Sequence, residues 1–122
     1  MSLVKSYKDL IVWQKALDLV VEVYKITESF PREELYSLTS QMRRSVISIP
    51  SNIAEGSGRG TRRDYAQFLR MSLGSCNELS TQVEIAKRLP KTKIFIYQKI
   101  EDDLAEISKM LKAIINKLLN GF

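Results

Sequence analysis

The 122-residue chain carries 19 lysine and arginine residues against 14 aspartate and glutamate residues, a net charge of +5, and it contains no histidine. The lack of histidine excludes a histidine-based catalytic triad, a histidine general base and an imidazole pH switch. A single cysteine, Cys76, excludes an internal disulfide and a cysteine-rich zinc site, and it fits a reducing compartment. The length fits one domain over residues 1–122, and five glycines and three prolines are too few for a turn-rich all-β domain.

Membrane and export signals are absent from the sequence. No apolar run approaches the roughly 20 residues that span a bilayer. The first residues lack the basic segment and apolar stretch of a signal peptide. We therefore expect a cytoplasmic protein.

The first periodic segment, about residues 8–29, predicts a helix with two apolar faces. The row expected to face the core recurs at steps of three and four residues and comprises Leu10, Trp13, Leu17, Val20 and Tyr24. A second ridge comprises Val12, Leu19, Val23 and Ile26. Because 12 of the 17 residues from 10 to 26 are apolar, one core would not cover both rows. We therefore expect a homo-oligomer.

The second segment, about residues 33–56, predicts a helix interrupted by a proline. Its apolar stripe comprises Leu35, Leu38, Met42, Val46, Ile49 and Ile53. Pro50 cannot donate to the carbonyl of Val46, so we expect a kink at Pro50 and no stop. The glycine-rich residues 56–60 are expected to end the helix through left-handed conformations.

Two further helices follow. Thr61 and Asp64 form a capping signal for a helix over about residues 61–88, and Gly74 and Ser75 are small enough to admit a neighbouring helix. Thr92 is expected to cap a fourth helix over about residues 93–119. Four helices joined by short connections predict an all-α, up-down-up-down antiparallel four-helix bundle.

The positive charge is concentrated in one part of the chain. Residues 43–70 carry a net charge of +4, against −1 for residues 1–42 and +2 for residues 71–122. All of the basic residues in that segment are arginines, which bind phosphate through planar bidentate contacts. They are Arg43, Arg44, Arg59, Arg62, Arg63 and Arg70.

The bundle order predicts a basic end. The turn with Lys87, Arg88, Lys91 and Lys93 shares its end with Glu28, Glu33 and Glu34, which offset much of its charge. The glycine-rich turn lies at the other end, beside Lys5, Lys8, Lys112 and Lys117. Arg44 and Arg70 are expected to extend this basic patch along one side of the bundle.

The arginine cluster predicts contact with the phosphate backbone of RNA or DNA, without base readout. The alternative is a solvated surface in which Arg43 or Arg44 pairs with Glu55 or with another subunit. The glycine-rich turn lacks the P-loop consensus, so a flexible connection is favoured over a phosphate cradle.

The sequence contains no pattern that predicts a catalytic site or a metal site. Bundle di-metal sites use Glu-x-x-His pairs, so Glu101, Asp102, Asp103 and Glu106 indicate a solvated helix face, without metal or cofactor. Cys76 is expected to fill the core, as are Trp13, Tyr65, Phe68 and Tyr97, with the alternative that one of these aromatic residues is left for base stacking. We therefore expect no enzymatic activity.

One segment is distinctive: Leu38-Thr39-x-Gln41-x-Arg43-Arg44-Ser45, followed by Ser48-Ile49-Pro50-Ser51-Asn52-Ile53-Ala54-Glu55-Gly56. Together with Asp9-Leu10-x-Val12-Trp13-Gln14-Lys15-Ala16, it closely resembles the bacterial four-helix-bundle proteins encoded in intervening sequences of 23S ribosomal RNA genes. The resemblance covers nearly the whole chain.

The resemblance implies a homo-oligomer, specifically a pentamer. The family is also similar to the accessory bundle proteins of diversity-generating retroelements, which are basic pentamers that bind nucleic acid and a reverse transcriptase. The motif positions in this chain are Pro50, Asn52, Glu55 and Gly56. We expect Asn52 and Glu55 to organise the end of the second helix and its turn.

Two functions remain open at this point. The first is a non-enzymatic, oligomeric helical bundle that binds RNA or DNA through its arginine-rich surface, with a possible protein partner. The alternative is an assembly or adaptor module whose ligand is an acidic or helical protein.

Overall fold

The computed structural model describes residues 6–121, and its regular structure over that range is helical. The four long helices are α1 (Ile11–Glu28), α2 (Ser40–Ser57), α3 (Arg62–Ala86) and α4 (Gln98–Asn120). A 3₁₀ turn, Tyr7–Asp9, precedes α1, and a 3₁₀ turn followed by a π turn, Arg32–Glu34 and Leu35–Thr39, leads into α2. The predicted all-α four-helix fold is confirmed.

Each helix packs on its chain neighbours, and α1 closes the bundle against α4. A side-chain hydrogen bond joins Thr27, near the end of α1, to Arg43, near the start of α2. An ion pair joins Lys87, just after α3, to Glu101, at the start of α4. Contacts between the end of one helix and the start of the next make these pairs antiparallel, and short connections favour that arrangement.

The core face of α1 differs from the prediction. The buried residues of α1 are Val12, Ala16, Leu19, Val23 and Thr27, whereas the predicted row of Leu10, Trp13, Leu17, Val20 and Tyr24 is half-buried or exposed. Both rows are apolar. The periodicity therefore identifies the helix but does not show which row faces the core. The ridge that contains the small Ala16 is the one that packs inward.

The other three helices bury most of their predicted stripes. In α2, Met42, Val46, Ile49 and Ile53 are fully buried, whereas Leu35, in the π turn, is 43% exposed. The core residues of α3 include Leu69, Cys76, Leu79 and Val83, and those of α4 include Ile100, Leu104, Ile107 and Leu111.

The helix α2 continues through Pro50 to Ser57, and the bend at Pro50 stays a prediction. Its expected left-handed ending is wrong: Gly58 has φ −88°, and within residues 6–121 the positive-φ residue is Gly121. Gly56 serves close packing instead. A Cβ at Gly56 would lie 2.7 Å from the Cβ of Phe68 on α3, so the two backbones approach too closely for any larger residue.

Two further expectations are corrected by the structure. Gly74 is exposed and a Cβ there would meet no atom within 4 Å, so of the predicted pair only Ser75 lies against a neighbouring helix. Thr92 does not cap α4, which begins at Gln98. Its hydroxyl donates to the carbonyl of Ala86 (2.7 Å), and the Tyr97 hydroxyl donates to the Thr92 carbonyl (2.7 Å). The residues between α3 and α4 therefore form a packed connection, and the helix starts later.

The capping prediction for α3 is confirmed, since Thr61 Oγ1 accepts a hydrogen bond from the amide of Asp64 (3.1 Å). The predicted offset of charge at the far end is seen in the ion pair between Lys91 and Glu33 (3.0 Å). As for membranes, the helices found in residues 6–121 include none with the length and hydropathy needed to cross one.

Candidate nucleic-acid interface

Of the six arginines predicted to bind phosphate, Arg43 and Arg59 are held by contacts within the chain. Arg43 is half-buried between α1 and α2. Its Nε donates to Thr27 Oγ1 (3.0 Å), and its guanidinium carbon lies 4.2 Å from the centroid of the Tyr24 ring. Arg43 is therefore held against α1 by a hydrogen bond and a cation–π contact.

Arg59 is also engaged within the chain. It forms an ion pair with Glu55 (3.0 Å), and its guanidinium carbon lies 4.5 Å from the centroid of the Phe68 ring. Glu55 thus pairs with the arginine of the turn, and the alternative pairing of Glu55 with Arg43 or Arg44 is not observed. The ion pair is exposed and contributes little stability on its own.

The remaining four arginines, Arg44, Arg62, Arg63 and Arg70, have exposed side chains. None of them has a hydrogen-bond, ion-pair or ring partner among residues 6–121. Arg63 and Arg70 are seven residues apart on α3, so they share one face and lie about 10 Å apart along the helix axis. Arg44 lies on α2, and the extension of the patch along one side by Arg44 and Arg70 stays a prediction.

Two lysines of α4 extend the basic residues of α3. Glu101 contacts Lys87, and Ser108 hydrogen-bonds to Cys76, so both mark the side of α4 that faces α3. Lys112 lies one turn beyond Ser108 on the same side, toward the start of α3, and Lys109 lies next to Ser108. Both lysines are exposed and have no partner in the described part of the chain.

We name this surface the basic face, defined by Arg62, Arg63, Arg70, Lys109 and Lys112. The nearby acids of α3 lie toward α2. Asp64 is one turn before Phe68, which packs on Gly56 of α2, and Glu78 is one turn after Ser75, which contacts Ser48 of α2. Asp64 therefore lies on the α2 side of the basic face, and the exposed Glu78 lies at its edge, one turn after Gly74.

Sequence reasoning singled out Lys112 and Lys117 as neighbours of the turn but missed Lys109. Lys109 and Lys112 are three residues apart and therefore lie on one side of α4, a signal that the overall count of charges in residues 71–122 hides. Lys8 and Lys117 are exposed as predicted at this end. Lys5 lies outside the described residues.

Three of the four acids of α4 form ion pairs, and the exposed Asp102 accepts a hydrogen bond from Gln98 (2.8 Å). Glu101 pairs with Lys87 (2.6 Å), Asp103 with Lys99 (2.9 Å) and Glu106 with Lys15 (2.8 Å). The hydrogen bond to Glu106 raises the pKa of Lys15. In the described region, no three cysteine or carboxylate groups converge as metal ligands would. Three of these acids therefore form ion pairs across and along the bundle.

The distinctive motif of α2 builds the contact between α2 and α3. Asn52 Nδ2 donates to the carbonyl (3.0 Å) and the hydroxyl (2.9 Å) of Ser48, and Ser75 Oγ lies 2.8 Å from Ser48 Oγ. The buried hydroxyl of Ser72 donates to the carbonyl of Ile49 (2.9 Å). With Gly56 against Phe68, these residues fix the spacing of the two helices, and the motif serves structure.

Cys76 is buried in the core. Burial raises the pKa of its thiol to about 11, although a hydrogen bond with Ser108 acts in the opposite direction. A thiol with so high a pKa is a poor nucleophile at neutral pH.

An apolar groove of about 280 Å³ runs between α1 and α2. Its lining is Tyr7, Trp13, Leu17, Val20, Ile47, Pro50, Ser51 and Ala54. Ile11 and Val21, on α1, are 61% and 53% exposed. Because α1 and α2 form one side of the bundle and α3 and α4 the other, the apolar groove and the basic face point in different directions.

Comparison with known proteins places this chain in a family. A family model described as 23S rRNA-intervening sequence protein matches residues 8–113. The chain is similar to a protein of unknown function from the S23 ribosomal protein family of Bacteroides thetaiotaomicron. That protein is 29% identical in sequence to this chain. Its crystal structure matches the structure of this chain with a TM-score of 0.74, and the match covers 86% of this chain and 98% of the other. No curated protein matches. Since the family match spans most of its length, the chain belongs to the 23S rRNA-intervening sequence protein family.

Proposed function

We propose that this protein is a non-enzymatic, homo-oligomeric helical bundle that binds the phosphate backbone of RNA or DNA. The observation that carries the proposal is the group of exposed arginines without partners in the described residues, above all Arg62, Arg63 and Arg70 on α3. Unpaired surface cations bind polyanions by releasing condensed counterions, which gives affinity without base readout.

The predicted binding residues contribute unequally under this proposal. Arg62, Arg63 and Arg70 meet phosphate directly, and Arg44 adds a separate contact on α2. Arg43 and Arg59 already stack on aromatic rings, so they support the fold and contribute to the surface potential. The proposal therefore rests on α3 more than on the glycine-rich turn.

The test compares two triple variants in a low-salt RNA gel shift. The first is Arg62→Glu/Arg63→Glu/Arg70→Glu. The second, at the far end of the bundle, is Arg32→Glu/Arg88→Glu/Lys93→Glu, whose target residues are exposed. Each variant lowers the net charge by six, so bulk charge is matched. The first variant is expected to lose retention and the second to keep it, and equal retention by both would overturn the proposal.

Homo-oligomerisation is part of the proposal, and the apolar groove between α1 and α2 supports it. Four-helix bundles place polar residues outward, yet α1 exposes Ile11, Leu17 and Val21. The family resemblance implies five subunits, and sedimentation analysis would then give a mass near five times 14.0 kDa. The similarity to retroelement accessory bundles, which are basic pentamers that bind nucleic acid, supports the same proposal.

A protein-binding adaptor is the second candidate, favoured by a different surface. The connection between α3 and α4 exposes Ile94 (74%) and Ile96 (83%), and Tyr36 before α2 is 92% exposed. These residues share one end of the bundle, where Phe30 stacks on Phe95 (5.6 Å). Apolar contact with a protein is insensitive to salt, whereas phosphate binding weakens steeply with salt, so a salt titration separates the two functions.

A further inference from the structure

We infer that the basic face, including Lys109 and Lys112 of α4, takes a double-stranded nucleic acid in preference to a single strand. This inference rests on the proposed function and specifies its ligand. It also moves the centre of the binding surface from the glycine-rich turn to the side of the bundle formed by α3 and α4.

The first argument is the arrangement of the cations in two rows. Arg63 and Arg70 lie about 10 Å apart along α3, and Lys109 and Lys112 lie on the neighbouring helix. The axes of packed helices are typically 8–10 Å apart. A single strand offers one row of phosphates, whereas a duplex offers two rows that flank a groove roughly 6–12 Å wide in B-form DNA. Cations carried on two neighbouring helices therefore match the two backbones of a duplex better than the one backbone of a single strand.

The second argument is the chemistry of the surface between the cations. The outward positions of α3 include Gln67, Gly74 and Asn77, and Asn116 is the corresponding residue of α4. Amide side chains donate to phosphate and sugar oxygens. The exposed Gly74 has no atom within 4 Å of where its Cβ would be, so a nucleic-acid backbone can approach the helix closely there.

The third argument is that the face lacks a stacking platform. Proteins that bind single strands stack the bases on exposed aromatic rings. The helix α4 contains no aromatic residue, and those of α3, Tyr65 and Phe68, are half-buried on the core and α2 sides. The guanidinium of Arg59 lies over the Phe68 ring. Splayed bases would find no ring to stack on, whereas a duplex keeps its bases stacked internally.

The experiment measures fluorescence anisotropy of the full-length protein with a labelled DNA duplex and with each of its two unstructured strands alone. The duplex is expected to bind at least about tenfold more tightly than either strand at the same salt concentration. Equal or tighter binding of the single strands would overturn this inference while leaving the proposed function intact. Failure of all three probes to bind would overturn both.

A pair of charge-matched variants locates the surface. Lys109→Glu/Lys112→Glu removes the α4 row, and Arg88→Glu/Lys93→Glu makes the same change of four charges at the far end. For the duplex, the first variant is expected to make the negative slope of log K against log salt shallower by about 2, since each phosphate contact contributes roughly −0.9 to that slope. The second variant is expected to leave the slope unchanged. A slope unaltered by the α4 variant would contradict the two-row surface, and circular dichroism confirms that both variants remain folded.

Discussion

Gly56 on α2 faces Phe68 on α3 so closely that a Cβ atom at Gly56 would lie 2.7 Å from the Cβ of Phe68. The Phe68 Cβ is bonded to its own backbone, so it cannot move aside without displacing α3. Replacement of Gly56 by alanine is expected to destabilise the fold by about 1–3 kcal/mol, the usual cost of overpacking a close-packed interface. Urea denaturation followed by circular dichroism measures this change.

Gly74 provides the matched control for Gly56. It also lies within a helix, yet its Cβ position is open. Gly74→Ala is expected to stabilise the protein by about 0.5–1 kcal/mol, because alanine has the higher helix propensity. If both alanine variants changed stability in the same direction, close packing at Gly56 would be the wrong account of this motif position.

Asn52 and Glu55 belong to the same motif but are expected to differ in their contributions. Asn52→Ala removes two hydrogen bonds to Ser48, at 3.0 and 2.9 Å, and is expected to cost about 1 kcal/mol. Glu55→Ala removes an exposed ion pair to Arg59 and is expected to cost less than about 0.5 kcal/mol. Thermal denaturation of the two single variants checks the order, and a larger loss for Glu55→Ala would refute it.

Much of the fold could be predicted from the sequence, because helical period and capping chemistry are local. The Thr61 cap and the stripe of α2 from Met42 to Ile53 are examples. The inward face of α1 could not be predicted in this way, since both of its ridges are apolar and packing against other helices decides between them. The late start of α4 depends on Thr92 being buried by tertiary contacts.

Less of the candidate site than of the fold could be predicted from the sequence. Counting arginines identified the basic segment, but a count does not distinguish Arg43 and Arg59, which stack on aromatic rings in the fold, from the exposed arginines. The contribution of Lys109 and Lys112 depends on how α4 is rotated against α3. The contacts of Glu101 and Ser108 with α3 establish that rotation.

The apolar groove between α1 and α2 predicts a specific way to break the oligomer. Leu17→Glu/Val20→Glu places two carboxylates in the groove and is expected to reduce the sedimenting species to a 14.0 kDa monomer, because charged groups are strongly disfavoured in a buried interface. Ile85→Glu, at a residue of α3 that is 45% exposed, is the control and is expected to leave the mass unchanged. A wild-type protein that sediments as a monomer would contradict the proposed oligomer.

Cys76 and Tyr97 predict how stability responds to alkaline pH. Burial raises the pKa of the Cys76 thiol from 9.0 to about 11 and that of Tyr97 from 10.0 to about 12. Above pH 9 the unfolded chain therefore releases protons before the folded chain does, and stability falls as the pH rises. Near neutral pH these two groups are expected to leave the denaturation midpoint unchanged. Above pH 9 the midpoint is expected to decline as the pH rises. Cys76→Ala should weaken the first part of that decline, and an identical profile in this variant would argue against the assignment.

The central claim is that unpaired cations on this bundle bind phosphate. The most direct measurement is the affinity of the wild-type protein for a DNA duplex as a function of salt concentration. With the cations of the basic face making about five phosphate contacts, log K is expected to fall linearly with log salt with a slope of about −4 to −5. Binding that does not change with salt, or the absence of binding at low salt, would contradict the account.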